Sequence, residues 1–78
     1  MNMEFERNLG EQPIARIMAD HDLKARDLVA ISTRQLTHKM VSRACKGRRL
    51  TPNARSKVRD ALNESTGKEY SMEELFTY

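Results

Sequence analysis

Between Ser32 and Arg49 the chain reads STRQLTHKMVSRACKGRR, eighteen residues without a single Asp or Glu. Arg34, Gln35, His38, Lys39 and Ser42 can all donate hydrogen bonds, and Arg43, Lys46, Arg48 and Arg49 add cations behind them. Wound as a helix at about 100° per residue, the stretch places Leu36, Met40, Val41 and Ala44 on one flank, with Thr33 and Thr37 beside them. Arg34, Gln35, His38, Lys39, Ser42, Cys45 and Lys46 fall on the other side, and Arg43 lies at its border. One stripe is fit for burial and the opposite face is fit for acceptors and negative charge. Donors of this kind suit the base edges on the floor of a DNA groove, and cations suit its phosphate walls.

Other chemistry is poorly served. His38 and Cys45 share a helix face, but two turns separate their backbones by about 10.5 Å, too far for an easy hydrogen bond. No glycine-rich phosphate loop, carboxylate pair or zinc-ligand spacing is present, and His21 in Asp-His-Asp reads as a helix-end residue. The sequence therefore predicts no enzyme, no catalytic residue, no metal, no cofactor and no small-molecule ligand.

The helices that must position this face follow from local signals. Pro13 suits a first helical turn, and Ile14, Ile17 and Met18 carry a buried stripe that should end near His21. Leu23 to Val29 predicts a second short helix, with Leu28 and Val29 inward and Lys24 and Arg26 outside; Ala30 and Ile31 then lead to a turn. Ser32 and Gln35 have the spacing of a reciprocal capping box, which starts the third helix at Ser32. Gly47 ends it. Thr51-Pro52 opens a fourth helix with Ala54, Val58, Ala61 and Leu62 inward, stopping near Ser65 or Thr66 before Gly67. Ser71 and Glu74 form another capping box, for a short helix holding Met72, Leu75 and Phe76, with Tyr70 packed nearby. No run alternates as a strand does. The fold predicted is all-α, with four main helices plus a short C-terminal one: an N-terminal arm over 1–10 and a single domain over 11–78.

Length and charge agree with this plan. A chain of 78 residues has room for one core and buries only about 60–65% of its unfolded surface. Aromatic residues make up 5% and there is no Trp, so the core must be aliphatic and rich in Met. A single Cys excludes an internal disulfide, and an intracellular, cytoplasmic protein is the simplest reading. No apolar run is long enough for a membrane span. The net charge of +3 is unevenly placed. Residues 1–23 hold two basic against five acidic side chains, residues 24–55 nine against one, and residues 56–78 three against five. Such segregation points to a polyanionic partner.

The order of these segments resembles the phage-repressor family (Cro/cI, lambda-repressor-like, XRE-type) of helix-turn-helix proteins. Leu23 to Val29 is similar to that family's second helix, Val41 to Arg49 to the end of its recognition helix and basic exit loop, and Thr51-Pro52 to the start of its fourth helix. The resemblance spans residues 13 to 66. It departs at Lys24, where Ser or Thr is usual, at Ala25, where Gln is usual, and in a turn without Gly that is about two residues longer. The resemblance implies a lambda-repressor-like bundle that regulates transcription by binding double-stranded DNA as a homodimer. On this reading Arg34, Gln35, His38, Lys39 and Ser42 would meet bases. Lys24, Arg26, Arg43, Lys46, Arg48 and Arg49 would hold phosphates. Aligning the family's spacing would instead cap the helix at Thr37, leaving base reading to His38, Lys39 and Ser42. Phe5, Met72, Leu75, Phe76 and Tyr78 could join two copies, although Leu75 and Phe76 suit the core better. The alternative is a protein-interaction module of antitoxin type, which keeps the helical fold and meets an acidic partner. RNA is disfavoured by the lack of aromatics in the basic stretch.

Overall fold

The computed structural model describes residues 9–77, so residues 1–8 of the predicted arm, with Phe5, and the terminal Tyr78 lie outside the described residues. Five helices follow one another: α1 (Pro13–Asp20), α2 (Ala25–Ile31), α3 (His38–Lys46), α4 (Pro52–Thr66) and α5 (Met72–Leu75). Among the described residues there is no β-strand. The fold is all-α.

α1 begins at Pro13 and stops at His21, where Asp22 turns into the left-handed region (φ +56°) and the Leu23 amide reaches back to the Met18 carbonyl (2.8 Å). α2 starts two residues later than the apolar pattern predicts. Its boundary is set by the Asp27 carboxylate, which accepts from the Lys24 amide at 2.7 Å. Ala30 and Ile31 accordingly belong to the helix and not to the turn.

α3 does not begin at Ser32. The Ser32 amide still donates to the Leu28 carbonyl (3.0 Å) as the last link of α2, and its hydroxyl accepts from the Arg34 amide (3.1 Å). Gln35, the supposed partner in a reciprocal cap, stands at φ +54°, outside the helical region. The cap is Thr37, whose Oγ1 accepts from the Met40 amide at 3.1 Å. A six-residue connection, 32–37, thus replaces the predicted first turn, and Leu36 plugs it into the core.

α4 carries its cap where Thr51-Pro52 places it, with Thr51 Oγ1 accepting from the Ala54 amide (3.1 Å). Ala54, Val58, Ala61 and Leu62 are all buried. Asn63 then holds the returning chain from both sides: its Oδ1 accepts from the Tyr70 amide (2.9 Å) and its Nδ2 donates to the Tyr70 carbonyl (3.2 Å). The Ser71–Glu74 box forms as the sequence predicts. Leu75 and Phe76 are core, and Met72 packs partly buried against them.

α4 is the hub, in contact with α2, α3 and α5, while α1 lies against α3 and α5. Ile14, Met18, Leu28, Leu36, Val41, Val58, Leu62 and Leu75 meet in one cluster. Among the described residues no helix is long and apolar enough to cross a membrane.

Gly47 closes α3 at φ +78°, and here two demands coincide. Any side chain would be strained at that φ, and a Cβ would lie 2.1 Å from the Gly10 carbonyl oxygen. Gly67 ends α4 at φ +74° with nothing within 4 Å of the same position. Gly67→Ala should therefore cost about 1 kcal/mol, the conformational term alone, and Gly47→Ala distinctly more. Equal losses in urea denaturation would mean that the 9–12 segment does not press on this turn. For the cap, Thr37→Ala should lose about 0.5–2 kcal/mol and Ser32→Ala less; the reverse order would return the helix start to Ser32.

Candidate nucleic-acid interface

α3 gives Val41 and Ala44 to the core and leaves Met40 and Cys45 at its edges, half-buried. That register turns His38, Lys39, Arg43 and Lys46 outward as exposed side chains, with Ser42 half-buried among them. Arg48 and Arg49 follow, exposed, in the link to α4. Lys24, at the cap of α2, and Arg26, in its first turn, are exposed as well. Lys24, Arg26, Lys39, Arg43, Lys46 and Arg49 form no ion pair with any other described residue. Lys39, Arg43 and Lys46 share one short helix and repel one another, and an acceptor-rich partner would relieve that repulsion.

Beside this face runs a groove of about 350 Å³, lined by Thr37, Lys39, Met40, Arg43, Arg49, Leu50, Thr51 and Ala54. Its apolar floor comes from Met40, Leu50 and Ala54 and its cations from Lys39, Arg43 and Arg49. Among the described residues no carboxylate lines it.

Two residues that the sequence places on the reading face are elsewhere. Gln35 is exposed, but in the connection before α3. Arg34 is half-buried and directed onto α4, where Nη1 donates to Asp60 Oδ2 (2.5 Å) and Ser56 Oγ (3.0 Å) and Nη2 to Asn53 Oδ1 (3.3 Å). Asp60 also takes Nε and Nη2 of Arg59 on its other oxygen, at 3.1 and 3.0 Å. Partial burial raises the Asp60 pKa, but the hydrogen bonds and charges of Arg59 and Arg34 outweigh it and hold the carboxyl below its ordinary value. The Asn53, Ser56 and Asp60 spacing gave no reason to expect a partner in the basic stretch, since any α4 face carries such residues.

The C-terminal end of α3 is fixed by a residue that the sequence did not single out. Gln12 is buried. Its amide donates to the Cys45 carbonyl (2.9 Å), its Nε2 to the Gly10 carbonyl (3.1 Å), and its Oε1 accepts from the Thr77 amide (2.6 Å) and hydroxyl (3.0 Å). Only the position just before Pro13 marks it in the sequence. The same knot brings the Leu9 amide to the Gly47 carbonyl (2.9 Å).

His21 caps α1, with Nε2 at 3.4 Å from the Tyr70 hydroxyl. Among the described residues no three His, Cys, Asp or Glu side chains gather as a metal site would require. Cys45 does not belong to the outward face, because its thiol is turned to the Met18 sulfur at 3.7 Å. Burial, and secondarily the negative charge of Glu11, push its pKa up. A raised pKa lowers the thiolate fraction at any given pH. Iodoacetamide at pH 8 should therefore alkylate Cys45 several-fold more slowly in the folded chain than in urea, and equal rates would place the thiol in solvent.

No protein-family model, no curated protein and no solved structure matches this chain.

Proposed function

We propose that this protein is a sequence-specific regulator that binds double-stranded DNA with the outward face of α3 in the major groove. The observation that carries this reading is the face itself: exposed His38, Lys39, Arg43 and Lys46 around Ser42, with no ion pair to any described residue and no carboxylate among them. The resemblance to the lambda-repressor-like helix-turn-helix family supports it, with α2 and α3 as the motif and α4 behind them. The connection 32–37 is longer than the 3–4 residues such a turn ordinarily takes.

The N-terminal half of a recognition helix meets base edges, so His38, Lys39 and Ser42 are the readers, with Lys39 suited to guanine O6 and N7. Arg34 and Gln35 are not among them, because α3 starts at His38. Arg43, Lys46, Arg48 and Arg49, together with Lys24 and Arg26 at the start of α2, hold the phosphates. So few readers specify few base pairs, and high specificity then requires two copies on a two-fold site.

Selection of bound sequences from a random duplex library tests the whole reading. A two-fold-symmetric motif is the expected result, and no enrichment at low salt would refute it. Lys46→Ala combined with Arg49→Ala should weaken all duplexes alike and reduce the slope of log K against log salt by about 1.8, the loss of two phosphate contacts. An unchanged slope would remove both side chains from the interface.

A further inference from the structure

We propose that Arg34 is a positioning residue for this interface: clamped to α4, it aims α3 at DNA without touching DNA itself. The proposal rests on the DNA-binding reading of the α3 face. Arg34 lies three residues before the Thr37 cap, in a connection whose other anchors are the buried Leu36 and the Ser32 hydroxyl. Asn53, Ser56 and Asp60 stand at i, i+3 and i+7 on one face of α4 and converge on its guanidinium. Arg59 grips the second oxygen of Asp60 and so fixes the plane of the carboxylate that receives Arg34.

A fork already spent on three α4 acceptors is poorly placed to leave for a base or a phosphate. The side chains of Arg34 and Asp60 are 38% and 41% exposed, so the ion pair adds little to overall stability. Its effect is geometric. A recognition surface has to be held within about 0.5 Å and 10–20° of its productive pose, and a six-residue connection does not hold it unaided.

The two roles open to Arg34 predict opposite outcomes for Asp60→Asn. If Arg34 positions α3, Asp60→Asn lowers affinity for the selected duplex about tenfold, with the salt slope unchanged. Arg34→Gln, which leaves the Arg59–Asp60 pair in place, gives the same loss, and the double variant adds nothing further. If Arg34 instead met a phosphate, Arg34→Gln would reduce the salt slope by about 0.9 and Asp60→Asn would free the guanidinium to bind as well or better. Either of those results overturns the proposal. The clamp is also read without DNA, by amide NMR of the free Asp60→Asn protein. Shifts and faster exchange at residues 33–37, with 40–46 still helical, are expected, and a spectrum unchanged at 33–37 overturns the clamp. A wild-type chain that enriches no duplex would defeat the reading on which the proposal rests, while the NMR result would still decide the clamp.

Discussion

α3 contributes just two fully buried side chains, Val41 and Ala44, to the core. A helix of nine residues with one narrow apolar stripe cannot hold itself in water, and tertiary contacts must supply its stability. Its outward face consists of cations that repel one another, which makes the demand greater. The rest of the chain meets that demand by tying down both ends of the helix. At the N-terminal end Leu36 is buried, Thr37 caps and Arg34 is bonded to α4. At the C-terminal end the 9–12 segment crosses over Gly47, and Gln12 joins it to Cys45 and to Thr77. A small aliphatic core leaves little stability in reserve, so these polar anchors bear on the pose of the helix more than their number suggests.

Much of this frame is legible in the sequence because its signals are local. Thr51-Pro52, Gly47 and the Ser71–Glu74 box each act over four residues or fewer, and each falls where the sequence predicts it. The buried stripes of α1 and α4 repeat at helical spacing and are equally readable. Ser32 and Gln35 fail because a cap signature only four residues wide says nothing of the helix before it. α2 runs on through Ile31 and takes the Ser32 amide for its own end. What then decides the connection is Asp60, 26 residues from Arg34 and on another helix. No periodicity encodes that pairing. Gln12 escapes for the same reason, since its chief partner is Thr77, 65 residues away.

The failure also redistributes chemistry. Moving the helix start from Ser32 to His38 takes the strongest guanine-type donor, Arg34, off the outward face and leaves Lys39 as the cation nearest the N-terminal end of α3. The face that remains is cation-rich towards its C-terminal end, at Arg43, Lys46, Arg48 and Arg49. Such a surface would take most of its affinity from phosphates and its discrimination from a few residues near one helix end. On the DNA-binding reading, that division would make orientation decisive, because rotating a short helix about its axis would exchange one set of contacts for the other.

Charge also determines which solution conditions act on this arrangement. Partial burial raises the Asp60 pKa, but Arg59 and Arg34 together bring the carboxyl below its ordinary value. A carboxylate with a lowered folded pKa contributes stability that is complete above its unfolded value of about 3.9 and is lost only as pH falls through the lower one. The clamp is therefore fully charged throughout the neutral range, and pH between 6 and 8 has no hold on it. Salt does, because two-fifths of each partner is open to solvent and its field is screened there. On the DNA-binding reading, the same ions would compete with cations on α3 for phosphate. Ionic strength would then act on this protein twice, once on the pose of α3 and once on its contacts, whereas acid releases the clamp only as Asp60 begins to protonate.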